Sequence, residues 1–336
     1  MSFQTEKQLV RNFYNALDRA NGQGITAALE QFTATNYKWR GFHPFNLQTD
    51  VQSVSKNFWQ PFRHAVTNIQ RRMDVFFAGE NFIDNAASVW VCSMGHLMGL
   101  FDNTWLGINP TGKLIMLRYA EFHRVVDGKI AETAFYFDIP HFMIQAGYAP
   151  FPQQTAAHMV QPGPAPHDAL LFADVAPDEG QKTMAAINFM IKDLGQWQSG
   201  LPLVEELARS WHDDMVWWGP AGIGATYTIA RYAEQHSAPF RAAFTDRSGT
   251  GHIARIAEGT YGGFFGWPNF SAKPTGGYLG LPPSDKVSDF RVIDIYRREG
   301  DKLKENWVFI DMLHFFNQQG VDILARTTRI QTELSD

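Results

Sequence analysis

The sequence predicts an α+β protein made of two tandem cone-shaped barrel domains, each with N-terminal helices packed on a bent antiparallel sheet. Two observations lead to this fold class. First, the chain repeats itself: residues 137–147 read FDIPHFMIQAG and residues 310–320 read IDMLHFFNQQG. Second, each copy begins with helical periodicity and continues with segments rich in β-branched and aromatic residues, which are typical of strands.

The repeat extends well beyond these two segments. Residues 106–147 align without a gap with residues 279–320 at an offset of 173, with thirteen identities in 42 positions. An earlier block, around the tryptophan strand and the PFR tripeptide, repeats at an offset of 178. A chain of 336 residues also exceeds the size of one ordinary core. We therefore expect a first domain over 1–150, a proline-rich linker over 151–182 and a second domain over 183–336.

Each copy starts with predicted helices. Residues 6–20 place Leu9, Val10, Phe13 and Leu17 on one face, and the pattern recurs after two glycines. The second copy repeats it in MAAINFMIKDLGQW and LPLVEELARSWH. Each copy then has a short strand with tryptophan (YKWRG or MVWWGP) and a third helix that ends near PFR.

The remainder of each copy is predicted to form strands. Segments such as SVWVCSMGHLMGLF, KLIMLRYAEFHRVV and RVIDIYRREG are rich in β-branched and aromatic residues. VDGK and REGDK provide hairpin turns, in which Gly128 and Gly300 can adopt positive φ. Helices followed by an antiparallel meander complete the predicted α+β plan.

Composition limits the classes of function. The net charge is −5 without a long run of one sign, which argues against a nucleic-acid surface. Cys92 is the sole cysteine, so an internal disulfide framework is excluded. No apolar run reaches ~18 residues, and the first residues are polar rather than signal-like, so we expect a cytoplasmic protein without a membrane partner.

The motifs GINPTGK (107–113), DGKIAE (127–132), WWGPAGIG (217–224) and GLPPSDK (280–286), with the closing D-x-x-x-F-x-x-Q-x-G, resemble the SnoaL-like polyketide cyclase family. That family belongs to the nuclear-transport-factor-2-like superfold, which includes ketosteroid isomerase and scytalone dehydratase. The resemblance covers both halves and implies a tandem duplication. The superfold hosts isomerases, dehydratases, cyclases, hydrolases and non-catalytic binders, so the resemblance specifies the fold better than the reaction.

The resemblance also implies catalytic candidates. The similar cyclases use an aspartate near the end of the last strand as general acid/base in an aldol ring closure, and Asp138 and Asp311 occupy that position. A carboxylate at the mouth of an apolar cone has a raised pKa and can move a proton next to a carbonyl without a metal or redox cofactor. The alternative is structural, because an aspartate before a helix closed by glycine is also a typical N-cap.

His141 and His314 follow these aspartates by three residues, where similar cyclases usually have an aliphatic residue. An imidazole there could tune the carboxylate or donate to a substrate oxygen. Alternatively, both histidines cap the first helical turn or lie between the two halves. A metal bound by all four side chains would require the two motifs to converge, so neither a metal nor a cofactor is expected.

Substrate-binding candidates come from the same repeated positions. Arg63 and Arg241 could anchor a carbonyl or anionic group, or form internal ion pairs that hold a helix. Trp39, Trp217 and Trp218 could form a cavity wall, and His236 precedes the second PFR tripeptide.

The glycine- and aromatic-rich segment 262–280, with Trp267 and Tyr278, has the composition of a mobile lid or binding loop.

The sequence thus favours a cofactor-independent lyase, isomerase or cyclase acting on a small hydrophobic carbonyl compound, with the second half as the preferred location. One alternative is a non-catalytic protein that binds such a ligand. In another, one half is catalytic and the other structural. We also expect the two halves to pair as an internal pseudo-dimer, and homo-oligomers remain open.

Overall fold

The computed structural model describes residues 2–152, 154–194, 200–249 and 251–333. Two α+β domains follow one another along the chain, each with a bent sheet that wraps around helices, and the predicted fold class is confirmed.

Helices of the first domain are α1 (Gln4–Arg19), α2 (Gln23–Phe32), α3 (Val51–Val54), α4 (Gln60–Ala65) and α5 (Ile139–Gln145), with a π-helical turn, Ser55–Trp59, between α3 and α4. Helix α1 is amphipathic: Val10, Phe13, Tyr14 and Leu17 recur at helical spacing and are buried against the sheet.

The six strands of the first domain are β1 (Thr33–Gly41), β2 (Leu47–Gln48), β3 (Val66–Glu80), β4 (Val89–Phe101), β5 (Leu114–Val126) and β6 (Lys129–Phe137). Their order in the sheet is β2-β1-β6-β5-β4-β3, and only the β1–β6 pair is parallel among these neighbours. The long strands β3 to β6 form the antiparallel meander that the sequence predicts.

Helices of the second domain are α6 (Pro177–Leu194), α7 (Leu203–Ala208), α8 (Ile229–Tyr232), α9 (Ala238–Ala243), α10 (Met312–Gln318) and α11 (Ile323–Glu333), with a π-helical turn, Ala233–Ser237, between α8 and α9. Because α6 begins at Pro177, residues 177–182 of the predicted linker are helical. The predicted helix over 184–197 runs past Leu194 into residues outside the described ranges.

The strands of the second domain are β7 (Trp211–Trp218), β8 (Ala225–Tyr227), β9 (Thr245–Gly249), β10 (Ala254–Glu258), β11 (Tyr261–Lys273), β12 (Ser288–Glu299) and β13 (Lys302–Ile310). They follow the order β10-β11-β12-β13-β7-β8, with β9 paired to β11. The sheet thus repeats the first, except that β9 and β10 stand where the first domain has the continuous β3.

The interpretation of residues 262–280 as a mobile lid or loop is wrong for most of the segment. Residues 262–273 belong to β11, which pairs with β10 on one side and β12 on the other. Gly263 illustrates why glycine is compatible with a strand here: a Cβ at this position would lie 2.5 Å from the carbonyl oxygen of Asp294. The glycines permit close backbone approach rather than mobility.

The two domains contact each other through their sheets. The rings of Trp90 and Phe265 lie 5.2 Å apart, and the hydroxyl of Tyr136 donates a 2.9 Å hydrogen bond to the carbonyl of Gly266. At the edge of this contact, the ammonium of Lys7 forms a buried ion pair of 2.5 Å with Glu258 of the other domain. The sheet faces that lie outside the helix-filled cones are therefore buried against each other.

Candidate functional site

The two repeated aspartates each begin a helix. Oδ1 of Asp138 accepts a 2.9 Å hydrogen bond from the N–H of His141 at the start of α5. Oδ1 of Asp311 accepts the equivalent bond, 3.0 Å, from the N–H of His314 at the start of α10. This is the helix N-cap arrangement that the sequence leaves open as the structural alternative.

The second oxygen of each carboxylate bonds to the other domain. Oδ2 of Asp138 accepts a 2.9 Å hydrogen bond from the N–H of Ala221, and Oδ2 of Asp311 accepts one of 2.8 Å from the N–H of His43. The repeated motif therefore ties the end of each last strand to the opposite domain, once in each direction.

A repeated arginine accompanies each aspartate. Arg118 donates to the carbonyls of Trp218 and Val308, both at 3.0 Å across the interface. Arg291, at the equivalent position, donates to the side-chain oxygen of Asn46 at 2.8 Å and to Asp311 at 3.3 Å. Both arginines thus reach into the opposite domain beside the aspartates.

Burial dominates the electrostatics of this interface. It raises the pKa of Asp311 to about 6, although Arg291 and the backbone N–H groups that it accepts from lower that pKa. It also lowers the pKa of Arg118 to about 9 despite the nearby Asp138. Neither aspartate is among the lining residues of the cavity described below. Their catalytic role stays a prediction, and their contacts are those of helix caps at a domain interface.

The two histidines of the motif lie at the same corners. The Nε2 atom of His141 is 3.1 Å from the carbonyl oxygen of Met159, and its Nδ1 is 2.9 Å from the amide nitrogen of Gln145. Burial lowers the pKa of His141, and it lowers that of His314 to about 3, with contributions from Arg291 and His43. Both imidazoles are therefore neutral near pH 7, and their predicted catalytic role stays a prediction.

A cavity of about 610 Å³ opens inside the second domain, between its helices and its sheet. This volume lies within the range of roughly 300–1,000 Å³ that small-molecule sites occupy. Aromatic side chains form much of the wall, together with three aliphatic residues from β12 and β13; these are Trp211, Trp217, Tyr232, Phe240, Phe264, Phe270, Tyr296, Val292, Val308 and Ile310.

Asp294 lines this cavity from β12. Burial raises its pKa to about 7, although hydrogen bonds from Asn306 and Tyr296 and the charge of Arg247 lower it. The amide of Asn306 donates to Oδ1 of Asp294 at 3.3 Å and to the carbonyl of Ile295 at 3.0 Å, so its orientation is defined. A carboxylate with a pKa near 7 in the wall of a largely aromatic cavity is suited to proton transfer.

Three of the predicted binding residues line the cavity: Trp217, His236 and Arg241. The His236 ring stacks on Trp217 with the ring centroids 4.0 Å apart, and burial lowers the pKa of His236 to about 3. Its buried Nδ1 makes no hydrogen bond within the described part of the chain. Arg241 forms an ion pair with Glu206 of α7, which is the structural alternative proposed from the sequence.

Trp218, Trp267 and Tyr278 lie outside the cavity lining, although the sequence places them in the same group. The carbonyl of Trp218 accepts from Arg118 at the domain interface. The indole of Trp267 packs there too, with the guanidinium of Arg291 3.8 Å from its ring centroid. Tyr278 is buried in the aromatic core of the second domain.

Trp39 and Arg63 belong to the first domain. Trp39 is fully buried in the aromatic core, 5.5 Å from the ring of Phe58. Arg63 donates to the carbonyls of Asp18 and Ala20 at 2.7 and 2.8 Å, so it closes the C-terminal end of α1. Arg63 therefore holds a helix, as the structural alternative predicts, but it does so through backbone carbonyls rather than through an ion pair.

Sequence reasoning missed several polar residues of the cavity, among them Asp294, Arg247, His252 and Arg255. A signal for the first was present, because the offset of 173 pairs Asp294 with Glu121 and thus places an acid at this position in both copies. Counting identities concealed it, since aspartate and glutamate do not score as identical.

In the first domain, the equivalent acid, Glu121, forms an ion pair inside the protein. Glu121 accepts a 2.6 Å hydrogen bond from the hydroxyl of Tyr14 and a 3.2 Å bond from Arg71, and His123 lies 3.5 Å away. Burial would raise the pKa of Glu121, but Arg71 and the hydrogen bonds from His123 and Tyr14 hold it below its ordinary value. Arg71 also contacts Asp18, so two carboxylates share its guanidinium inside the protein.

Side-chain volume explains why the two domains differ. The aliphatic residues Val292, Val308 and Ile310 of the cavity correspond to Tyr119, Phe135 and Phe137 at the offset of 173. At the offset of 178, Ser237 and His236 correspond to Trp59 and Phe58. In the first domain these rings contact one another; Trp59 stacks on Phe135 at 5.5 Å, and Phe137 lies 5.0 Å from both Phe58 and Phe135. Aromatic side chains therefore occupy the space that is a cavity in the second domain.

The fold and the cavity define a class of protein: a duplicated α+β barrel in which one copy keeps an apolar cavity with a carboxylate in its wall. Residues 206–319 match the family of SnoaL-like polyketide cyclases, and this match confirms the resemblance for the second domain. It supports a cyclase or isomerase type of role in general.

Solved structures of low sequence identity are also similar to the chain. They include a candidate SnoaL-like polyketide cyclase from Jannaschia sp., with 13% identity over 40% of this chain and 86% of that one, at a TM-score of 0.33. A nuclear-transport-factor-2-like protein from Burkholderia thailandensis has 21% identity over 43% and 97%, at a TM-score of 0.32. A candidate hydroxylase from Streptomyces galilaeus has 18% identity over 44% and 98%, at a TM-score of 0.35. The comparison with curated proteins finds no match.

Two features are absent from the described residues. Across those ranges, no three histidine, cysteine, aspartate or glutamate side chains are grouped so as to hold a metal ion. Within the same part of the chain, no helix has the length and apolar character needed to cross a membrane.

Proposed function

We propose that the second domain is a cofactor-independent lyase, isomerase or cyclase that acts on a small hydrophobic carbonyl compound, with Asp294 as general acid/base. The observation that carries the proposal is the position of Asp294, whose pKa is raised to about 7, in the wall of a largely aromatic cavity. The match to SnoaL-like polyketide cyclases over residues 206–319 agrees with this class of reaction.

The chemistry follows from the protonation state of Asp294. Near pH 7 its ionised and protonated forms are both populated, so it can remove a proton from the carbon next to a carbonyl and return it to another atom of the same molecule. Burial raises the pKa values of Tyr232 and Tyr296 well above the ordinary tyrosine value, so both phenols stay protonated. The hydroxyl of Tyr296 donates to Asp294, so Tyr232 is the phenol that could donate a hydrogen bond to the oxyanion that develops on the substrate.

Contacts within the first domain support different roles for the two copies. Its acid, Glu121, is paired with Arg71, and aromatic rings occupy the equivalent space. We therefore assign the first domain a structural role. It covers the outer face of the catalytic domain's sheet, holds the last strand through the hydrogen bonds of Arg118 and Asp311, and holds the segment after β7 through Asp138.

The direct test is proton exchange on β-tetralone, a bicyclic ketone with acidic protons next to its carbonyl, in deuterium oxide followed by proton NMR. We expect exchange with the wild-type protein and a loss of about 100-fold or more in Asp294→Asn, since a positioned acid/base contributes roughly 10²–10⁴-fold. Glu121→Gln is the matched control, because it alters the corresponding acid of the first domain, where aromatic rings occupy the equivalent space.

The exchange rate should rise with pH through about 7, because the deprotonated form of Asp294 is the base. An Asp294→Asn variant that exchanges at the wild-type rate would contradict the assignment. Wild-type protein that binds β-tetralone without exchanging it above the buffer rate would contradict catalysis of this step and favour the ligand-binding alternative.

A further inference from the structure

The polar part of the cavity has more positive than negative charge. Three arginines line it, namely Arg241, Arg247 and Arg255, whereas Asp294 is the one acid among the described lining residues. Glu206 pairs with Arg241 from outside the cavity. These five side chains carry three positive and two negative charges when Asp294 is ionised. They carry three positive charges and one negative charge when Asp294 is protonated.

The described hydrogen-bond partners of Arg255 leave its own positive charge uncancelled. Its Nε and Nη2 atoms donate to Nδ1 of His252 at 3.3 and 3.0 Å, and its Nη1 donates to the side-chain oxygen of Asn188. Both partners are neutral groups. Burial lowers the pKa of Arg255 from its ordinary value, as expected for a guanidinium that has lost water without gaining a carboxylate.

The contact with Arg255 also defines which ring nitrogen of His252 carries the proton. Because Nδ1 of His252 accepts from Arg255, the ring proton resides on Nε2, which is left as a donor. The ring lies flat against Phe264, with the centroids 3.9 Å apart and the planes 9° from parallel. Burial and the charge of Arg255 lower the pKa of His252 to about 3, so this neutral tautomer persists near pH 7.

A second guanidinium reinforces this charge. Arg247 lines the same cavity from β9, with its guanidinium 4.6 Å from the ring centroid of Phe270. Burial and the neighbouring Arg241 lower the pKa of Arg247, whereas Tyr232 and Asp294 raise it; the two guanidiniums repel each other, and Asp294 supplies an opposite charge nearby. An anionic group bound between them would relieve that repulsion.

We propose that the molecule bound in this cavity is an aromatic or polycyclic carboxylate, with its ring system on the Trp217 and Phe264 side chains and its carboxylate near Arg247, His252 and Arg255. This names a substrate class for the function proposed above and rests on it for the reaction, but not for binding. A guanidinium and a neutral imidazole N–H together present the donors that a carboxylate accepts.

Isothermal titration calorimetry with β-naphthoate and its neutral counterpart β-naphthamide tests the proposal on the wild-type protein. We expect the carboxylate to bind about tenfold tighter or more, because hydrogen bonds to a charged acceptor are stronger than those to a neutral one. Equal affinity for the two compounds, or binding of neither, would overturn the proposal.

Arginine variants then identify which side chains cause the preference for the carboxylate. Arg255→Met should weaken binding of β-naphthoate about tenfold and change that of β-naphthamide little. Arg231→Met is the matched control, since this exposed arginine of α8 pairs with Glu234 outside the cavity. Arg247→Met provides a second test if Arg255→Met melts at a much lower temperature. Unchanged β-naphthoate affinity in a folded variant of each arginine would also overturn the proposal.

These outcomes are separable from the proposed reaction. β-Tetralone is neutral, so its Asp294-dependent exchange can persist when the carboxylate preference is not found. Conversely, a carboxylate preference can be measured even if Asp294→Asn exchanges protons normally, which would overturn the acid/base assignment alone.

Discussion

The carboxylate of Asp138 and the backbone N–H of Ala221 belong to different domains and are joined by a 2.9 Å hydrogen bond. The other oxygen of the same carboxylate caps α5 through His141. One side chain therefore ends a strand, begins a helix and holds the opposite domain. Asp311 does the same in the second copy through His43 and His314.

From these contacts we predict that Asp311→Ala mainly destabilises the protein. The variant loses an N-cap bond and a buried bond across the interface, which together cost about 2–4 kcal/mol of unfolding free energy. Calorimetry should show a lower Tm, whereas folded protein should retain β-tetralone exchange. The same result is expected for Asp138→Ala. A normal Tm with lost exchange would instead support the catalytic role predicted from the family resemblance.

Asp294 should make stability depend on pH. Its folded-state pKa of about 7 lies above the ordinary value of 3.8, so the protonated form favours folding and this contribution is lost as pH rises from about 4 to about 7. Asp294→Asn carries no such charge, and we expect its Tm to exceed that of the wild type above pH 7 while the two converge below pH 4. Parallel Tm curves for wild type and variant across this range would contradict a raised pKa.

The cavity should close when an aromatic residue of the first domain is introduced. Val308→Phe places the side chain of the equivalent Phe135 into the cavity wall, and we expect β-tetralone binding to weaken at least about tenfold without a large loss of Tm. The reciprocal change, Phe135→Val, removes a fully buried ring and should cost about 2–4 kcal/mol of unfolding free energy while leaving binding unchanged. Wild-type binding by Val308→Phe would show that the ligand lies elsewhere.

In the first domain, Arg71 should be required for stability rather than for activity. Arg71→Met would leave Glu121 buried without its cation, which costs about 3–5 kcal/mol of unfolding free energy. Adding Glu121→Gln should recover part of the loss, because the uncompensated charge is then removed. Denaturant unfolding of the two single variants and the double variant measures this coupling. Strictly additive effects would contradict it, and β-tetralone exchange serves as the activity control.

Some of the site was predictable and some was not. The repeat predicts two similar domains, and the position of Asp138 before an amphipathic, glycine-terminated segment indicates a helix cap. Segment 262–280 was misinterpreted because glycine and aromatic content describes a loop and a closely approached strand equally well. The pairing of Asp294 with Glu121 at the offset of 173 is the one sequence signal for this acid, and the pattern along β12 alone does not distinguish an acid that faces a cavity from one that faces solvent.

By itself, the sequence determined the duplication, the α+β order of elements and the resemblance to SnoaL-like polyketide cyclases, since each is written in local periodicity and in constant offsets between copies. Only the tertiary structure decided which copy holds a cavity and which carboxylate lies in it. The reason is physical: the cavity depends on the summed volumes of side chains from helices and strands that are distant in sequence, such as Ser237, Val292 and Val308. Their first-domain counterparts Trp59, Tyr119 and Phe135 occupy the same space, and this difference becomes apparent only when those elements are packed together.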